Sequence, residues 1–379
     1  MHKNVTGGVS GNIPALPSSS SPAEQPAQQT TTRPAARTRS GALEHLPPPG
    51  TRGTGSTGST SAPARVSAAP ARMTDAELPL AAYLLMRAVD GRPVAAPEIA
   101  RLRLANASVN ETRQLLKHGR GNVDVDVRAT HNESTWRMKA ARTFRQEREQ
   151  KANVPWNAFE QRAPYSAAAA SVFGAGNCGE HTSTATVYHS RRLAPNEEVH
   201  YVNAPAAGHT FSEARIPSAP EAEQPERTIV MDAWTKGPAV LAADAHFAKR
   251  RSGLQSLLHY NADTGRDARI TANDLVLEAR SAGPEEIARR VQREATPTAR
   301  FAAFIDAVLP SGMGHWREQH VIDGDFARRV KGKFAAFENP AQRLELAARV
   351  AEQLGVPAQH RMAEAQRILE AARAMLADR

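Results

Sequence analysis

The segment "GAGNCGEHTSTATVYHS", residues 174–190, contains Cys178, the only cysteine in the 379-residue chain. A structural cysteine usually lies in an apolar run. This thiol instead follows Asn177 and a glycine-rich turn, and polar residues come directly after it. Residues 178–191 have the pattern of a helix, and a helix N-terminus favours the thiolate form of cysteine. The segment therefore predicts a reactive thiol at the first turn of a helix.

The residues after this helix predict β-strands. Three segments rich in β-branched and aromatic residues are separated by turn formers. They are "EEVHYVNA" (197–204), "GHTFSEARI" (208–216) and "RTIVMDAW" (227–234). Because helical patterns precede and follow these strands, the order of elements predicts an α+β fold. In that fold the Cys178 helix packs on an antiparallel sheet.

Several helices are predicted on either side of this core. Pro79 to Gly91 has a proline at its start and a glycine at its end, and Asn110 is a candidate N-cap for a helix that ends near Gly119. "VDVDV" (123–127) alternates like a strand. Another helix is predicted to follow "NESTW" at 132–136. Further helices are predicted near 284–295, 301–310, 340–354 and 358–376.

Composition divides the chain into three parts. Residues 1–72 are rich in Pro, Ser, Thr, Gly and Ala, with too little apolar surface to offset the entropy of ordering, so they are predicted to be disordered. Residues 73–260 are predicted to hold N-terminal helices and the catalytic α+β core. Residues 261–379 are predicted to form a helical region packed on that core.

The bulk properties exclude several classes of protein. One cysteine rules out an internal disulfide framework and a cysteine-rich zinc site. The net charge of +9 permits contact with nucleic acid, but arginines alternate with glutamates and aromatic residues are only 5%, so no nucleic-acid partner is expected. No apolar run approaches about 18 residues, and His2 follows Met1, so neither a membrane span nor N-myristoylation is expected.

Two polar residues in the predicted strands suit partners for the thiol. His209 follows Gly208 at the start of the second strand, where it can face the start of the Cys178 helix. Asp232 interrupts an apolar run, and a buried carboxylate is costly unless it is paired. We therefore predict that His209 is the base and that Asp232 orients it, in the manner of a Cys–His–Asp triad.

Other assignments stay open at this point. Asp244 is an alternative carboxylate, and a metal site built from histidines lacks the usual His spacing, so no metal is predicted. Tryptophan N–H groups are candidates to join the Cys178 N–H in an oxyanion hole. The rival histidines are His181, His189, His200 and His246, of which the first three would form the metal site, and the tryptophans are Trp136, Trp156 and Trp234.

The blocks "GNCGEHTSTATVYH", "GHTFSEARI" and "VMDAWTKGPAVLAADAHF" resemble the AvrPphE/HopX family of bacterial type III effectors, which includes XopE and RipE proteins of plant pathogens. The upstream block "RQLLKHGRGNVDVDVRATHNESTWRMKAAR" (113–142) also resembles that family. The resemblance covers roughly residues 75–379. Some relatives carry an N-terminal myristoylation motif that this sequence lacks.

The resemblance implies a papain-like or transglutaminase-like core with its triad on Cys178, His209 and Asp232. It also implies that Gly119, Gly121 and Asn122 belong to a segment that binds a host partner or cofactor, although a packing turn is the alternative. Residues 1–72 would then serve secretion and translocation, with help from a secretion chaperone. No cofactor is predicted beyond a host factor for activation.

Together these features predict a type III effector that enters the plant host cell, in the cytoplasm or nucleus, and acts as a monomer. Its substrates would be host proteins, attacked by Cys178 through a thioester. Water as the acceptor would give proteolysis or deamidation, and an amine would give cross-linking. The alternative is a catalytically degenerate fold that sequesters a host protein or ligand.

Overall fold

The computed structural model describes residues 72–296, 316–337 and 339–377. These residues fall within one compact unit, Val66–Arg379. They form an α+β fold, with twelve α-helices and one five-stranded antiparallel sheet in the described ranges. The helix predicted at 301–310, and residues 1–71 of the segment predicted to be disordered, lie outside the described residues.

The sheet has the strand order β4–β3–β2–β1–β5, and each neighbouring pair is antiparallel. The three predicted strands are confirmed as β1 to β3, although β3 is shorter than predicted. The strands β4 and β5 were not predicted. The strands are β1 (Glu198–Ala204), β2 (His209–Arg215), β3 (Ile229–Met231), β4 (Val240–Leu241) and β5 (Gln255–Tyr260).

The central strand β2 is almost completely buried, because the sheet pairs with it on both sides and a helix covers one face. Val202 lies opposite Phe211, and Ser212 lies opposite Met231. Gly208 closes the β1–β2 connection with φ +58°, a left-handed conformation that favours glycine. This turn fixes where β2 begins, and therefore where the side chain of His209 lies.

The helices pack around this sheet and against one another. The seven before β3 are α1 (Leu78–Val89), α2 (Ala96–Leu115), α3 (Asp124–Ala129), α4 (Glu133–Lys151), α5 (Phe159–Phe173), α6 (Cys178–His189) and α7 (Gln224–Arg227). The five after β5 are α8 (Ala262–Ser281), α9 (Pro284–Glu294), α10 (Gly324–Ala336), α11 (Pro340–Gln353) and α12 (Arg361–Ala377). None of the helices described is both long enough and apolar enough to cross a membrane.

The helix that carries Cys178 is the most enclosed element. From Glu180 to His189 every residue of α6 is buried, because α6 packs on β1 and β2 and also contacts α2, α5 and α8. The alanine run Ala167–Ala170 in α5 has no bulky side chain and permits a close approach between α5 and α6. The C-terminal helices complete the packing, with α8 on α5 and α12 on α1.

Two sequence predictions were wrong. The "VDVDV" segment is not a strand, because residues 124–129 form α3 with Asp124 and Asp126 in its first turn, where acidic residues favour a helix. Asn110 is not an N-cap, since α2 begins at Ala96 and runs through it. The Asn110 amide instead donates to the Ala76 carbonyl at 3.0 Å.

Candidate active site

Cys178 is the first residue of α6, and a capping box fixes the start of that helix. The Asn177 side chain accepts a hydrogen bond from the Gly179 N–H at 2.9 Å, and the Glu180 carboxylate accepts one from the Asn177 N–H at 2.8 Å. The first N–H groups of a helix lack intrahelical partners. The N–H of Cys178 donates to no acceptor in the described part of the chain, so it is available to a ligand.

A second glycine-rich segment supports the turn before Cys178. The Gly121 N–H donates to the Gly176 carbonyl at 2.9 Å, and the His118 N–H donates to the Gly174 carbonyl at 2.8 Å. At Gly121 a Cβ atom would lie 2.7 Å from the Met138 Cβ, so no other residue fits without displacement. This part of the chain therefore has a packing role beside the nucleophile.

The predicted ligand role of Gly119, Gly121 and Asn122 stays a prediction. Gly119 lines a separate cavity of about 420 Å³ and has φ +91°. The Asn122 Oδ1 accepts a hydrogen bond from the Trp234 indole N–H at 3.2 Å. The contacts described for these residues are with other parts of the protein. Gly121 contacts the turn before Cys178, and Asn122 contacts Trp234 beside His209.

His209 lies at the start of β2 and is only 1% exposed. Its Nε2 is 2.7 Å from Asp232 Oδ2. Because a carboxylate only accepts, Nε2 carries the hydrogen of this bond. The opposite nitrogen, Nδ1, is buried and has no hydrogen-bond partner with good geometry among the described groups, although the neighbouring Cys178 thiol interacts with the ring. The imidazole is therefore held on one side and open toward sulfur on the other.

Mutual effects on pKa link the thiol and the imidazole. Burial lowers the pKa of His209, but the charge and hydrogen bond of Asp232, with the help of Cys178, raise the pKa to about 9. Burial raises the pKa of the Cys178 thiol, but His209 and then Thr210 outweigh burial, so the pKa is lowered. Both shifts favour a thiolate–imidazolium pair.

Asp232 lies in a turn rather than inside a strand, because β3 ends at Met231. It is 2% exposed, and its Oδ1 accepts the Thr235 N–H at 3.2 Å. Arg113 holds this turn by donating to the carbonyls of Thr235 and Gly237, each at 2.7 Å. Burial lowers the pKa of Arg113 to about 10, against the opposing charge of Asp232. The carboxylate is therefore fixed by backbone contacts on the side away from His209.

Aromatic rings enclose the imidazole. The ring of Phe247 has its centroid 4.2 Å from that of His209, Trp234 lies at 5.0 Å and Phe211 at 6.0 Å. These contacts restrict rotation of the His209 ring and exclude water from the His209–Asp232 bond. Sequence reasoning missed Phe247, and its nearness in sequence to the predicted site was the only available signal.

The rival histidines face other partners. The Nδ1 of His181 lies 2.8 Å from the Asn177 carbonyl oxygen, the Nδ1 of His189 2.8 Å from Ser108 Oγ, and the Nδ1 of His200 2.8 Å from Ser256 Oγ. Burial lowers the pKa of His181 to about 4, and that of His189 and His200 to about 3. Buried neutral rings with such partners are typical structural histidines, and His246 packs its ring against Phe247.

The remaining alternatives also fall elsewhere in the structure. Asp244 is bound by one tyrosine and two arginines and has no contact with His209. Across the described ranges no group of three potential ligands could hold a metal. The Trp234 indole N–H is already donated to Asn122, while Trp136 and Trp156 do not line the cavity beside Cys178. No indole is therefore placed as an oxyanion donor.

Cys178 opens on a cavity of about 470 Å³ between the sheet and the helices α4, α5 and α6. Tyr201, Thr210 and Leu258 form the sheet side of the cavity. Arginines from α4 and α5 form the opposite wall, which sequence reasoning missed. Because Cys178 lines a space of this size, an extended segment of a substrate can reach the sulfur.

Comparisons of the chain with protein-family models, with curated proteins and with solved structures found no match. A functional assignment therefore depends on the chemistry of the side chains at this site. Three features define that chemistry: a thiol at a helix N-terminus, an imidazole fixed by a buried carboxylate, and an adjacent cavity.

Proposed function

We propose that the protein is a thiol enzyme that cleaves or transfers acyl groups, with Cys178 as nucleophile, His209 as acid and base, and Asp232 as the group that orients His209. One observation carries this proposal. Nε2 of His209 is held by Asp232 at 2.7 Å, while Nδ1, the remaining nitrogen, is buried without another partner beside the only thiol of the chain. A ring fixed in this way is suited to transfer a proton at Nδ1.

The reaction begins from the thiolate–imidazolium pair. The Cys178 sulfur attacks an amide carbonyl, and the N–H of Cys178 at the helix N-terminus stabilises the developing oxyanion. The C–N bond then breaks as His209 gives its Nδ1 proton to the leaving nitrogen, which leaves a thioester on Cys178. His209 next takes a proton from water or an amine, whose attack on the thioester releases the acyl product and restores the thiolate.

The placement of the groups supports a papain-like or transglutaminase-like core. The nucleophile begins a helix that packs on an antiparallel sheet, the base begins a strand of that sheet, and the orienting acid follows the next strand. The same superfamily is implied by the resemblance to AvrPphE/HopX effectors. On that basis we extend the proposal to a secreted effector that acts on host proteins in the plant cell.

The test compares host protein extracts exposed to the wild type, Cys178→Ala and His209→Ala, with His360→Ala as the control. Mass spectrometry detects cleaved, deamidated or cross-linked proteins. We expect products with the wild type and the control only, since each of the other variants lacks a reacting group. The same products from Cys178→Ala would contradict the enzyme assignment and favour a binding role.

A further inference from the structure

A basic wall faces Cys178 across the cavity. We use this name for Arg142 and Arg145 on α4 and Arg162 on α5, which line the same cavity as the thiol. The other ionisable groups of the cavity are Glu180, which is buried on α6, and Tyr201, whose pKa is raised mainly by burial. With the Cys178 thiolate counted, the three cations of the wall outnumber the two anions among the residues that line the cavity.

Two of the three arginines donate hydrogen bonds to acceptors within the protein. Arg142 pairs with Glu180, with its Nε 2.8 Å and an Nη 3.3 Å from the two carboxylate oxygens. Arg162 donates to Glu149 at 3.2 Å and to the Trp156 carbonyl at 2.6 Å. These contacts fix both guanidinium groups in place without a ligand.

Arg145 is different, because it makes no hydrogen bond with any described group. Its nearest carboxylate is Glu149, whose oxygen lies 3.5 Å from Nε and is shared with Arg162. The Nε atom is buried and unpartnered, although the side chain as a whole retains 21% exposure. The two Nη nitrogens are not fully buried and make no hydrogen bond with a described group, so a ligand carboxylate in the cavity would be a favourable acceptor for them.

The position of Arg145 indicates where such a ligand would lie. Arg145 is three residues after Arg142 on α4, so the two side chains emerge about 5–6 Å apart on one face of the helix. Burial lowers the pKa of Arg142, but the charge and hydrogen bond of Glu180, and then the charge of Cys178, raise it above its ordinary value. An acceptor at Arg145 therefore lies in the same cavity as the sulfur.

We infer that the acyl donor is an acidic peptide segment, whose carboxylate is bound by Arg145 beside the carbonyl that Cys178 attacks. This inference rests on the proposed function and specifies its substrate. Glu180 and Glu149 hold Arg142 and Arg162 in place, and Arg145 provides the free donors. A guanidinium binds a carboxylate through two parallel hydrogen bonds, which would place the acyl donor relative to the thiol.

The test uses two alkylating reagents that differ in charge, iodoacetate and iodoacetamide. Cys178 is the only thiol, so each rate of carboxymethylation or carbamidomethylation belongs to this residue. The rate constant for iodoacetate is divided by the rate constant for iodoacetamide. This ratio, divided by the same ratio for glutathione, measures the preference of the cavity for a carboxylate. We expect this preference to be well above one in the wild type, because a lined cleft concentrates reagents of opposite charge.

The decisive variant is Arg145→Gln, which removes no hydrogen bond to a described group and only the 3.5 Å contact with Glu149, so we expect the fold to be retained. We expect the preference for iodoacetate to fall by about threefold to tenfold, because loss of the cation slows the charged reagent more than the neutral one. Arg145→Lys keeps the charge and should retain most of the preference. Arg349→Gln on α11 makes the same change of charge outside the cavity and serves as the matched control.

The outcomes separate the two proposals. If Cys178 reacts rapidly but Arg145→Gln has the wild-type preference, the acidic-substrate inference is wrong while the thiol enzyme stands. If Cys178 reacts with both reagents no faster than glutathione at neutral pH, the thiolate–imidazolium pair is absent and both proposals fail. Thermal unfolding of each variant verifies that the rates come from folded protein.

Discussion

Two buried carboxylates follow neighbouring strands of this sheet, and their surroundings differ. Asp244, after β4, accepts hydrogen bonds from Tyr83 and Arg87 at 2.8 Å and from Arg92 at 2.7 Å. Asp232, after β3, accepts from the ring of His209 and from one backbone N–H. Both are at most 2% exposed.

The two sites differ in whether the partner of the carboxylate keeps a nitrogen without a hydrogen bond. The partners of Asp244 are anchored in the protein, since Arg87 also binds Glu226 at 2.7 Å, and the network ties α1 to the turn after β4. The partner of Asp232 keeps a nitrogen free beside a thiol. The Asp244 network, in which every described partner is anchored in the protein, stabilises the fold. The Asp232–His209 pair, in which one ring nitrogen is free, is able to transfer a proton.

The largest effect on stability is expected from Asp244→Asn. This change removes the buried charge that Arg87 and Arg92 share and leaves Glu226, which is 44% exposed, as the carboxylate partner of Arg87, and breaking a buried pair costs about 3–5 kcal/mol. Urea unfolding measures the loss. The rate of Cys178 alkylation in the remaining folded protein should equal the wild-type rate, and a large decrease would indicate that Asp244 belongs to the active site.

Asp232→Asn should have a large effect on the reactivity of Cys178 and a smaller effect on stability. Without the carboxylate, the pKa of His209 falls, the imidazolium no longer favours the thiolate, and alkylation at neutral pH slows by about 10- to 100-fold. The free energy of unfolding should change by less than for Asp244→Asn, because a neutral imidazole tolerates burial without a counter-ion. If the two variants lost stability equally and kept equal reactivity, the contrast between the sites would disappear.

The titration of His209 tests the link to Asp232 without any reaction. The Asp232 charge stabilises the imidazolium, so the ring should keep its proton up to pH values near its pKa of about 9. In Asp232→Asn that stabilisation is lost, and the midpoint should move to lower pH. NMR of the ring carbons measures the midpoint, with His209→Gln used to assign the signal among the 13 histidines.

The smallest effect is expected from two caps. Asn177 and Asn261 cap α6 and α8 through the same capping box, and loss of either side chain should cost about 1 kcal/mol. Only Asn177→Ala should also slow alkylation of Cys178, because the helix turn that carries the thiol would fray. Equal rates in Asn177→Ala and Asn261→Ala would show that the cap has no influence on the nucleophile.

Local patterns were sufficient to predict that His209 and Asp232 pair, while the catalytic roles of Cys178, His209 and Asp232 stay a prediction. Polar residues placed at a helix start or after a buried strand, such as Cys178 and Asp232, stand out against their neighbours and indicate a pairing. The three strands with clear β-branched patterns were also predicted. The structure brings His209 and Asp232 to 2.7 Å, as this pairing required.

Features that depend on tertiary packing were not predictable. Strand β4 has only two residues, and β5 is an edge strand whose residues are largely exposed, so neither has a strong pattern. The alternation at 123–127 resembled a strand, but the residues that are buried are Val123 and Val127, whose spacing of four fits one face of a helix. The basic wall depends on how α4 lies against α6, and no local signal in the sequence specifies that arrangement.

The central claim is that Cys178 exists as a thiolate paired with the His209 imidazolium at neutral pH. The most direct test is the ultraviolet absorbance of the thiolate as a function of pH, taken as the difference between the wild type and Cys178→Ser and repeated in His209→Gln. The account predicts thiolate absorbance in the wild type well below the ordinary thiol pKa of 9.0, and its loss at neutral pH in His209→Gln. A thiol that titrates at or above its ordinary value, unchanged by removal of the imidazole, would contradict the account.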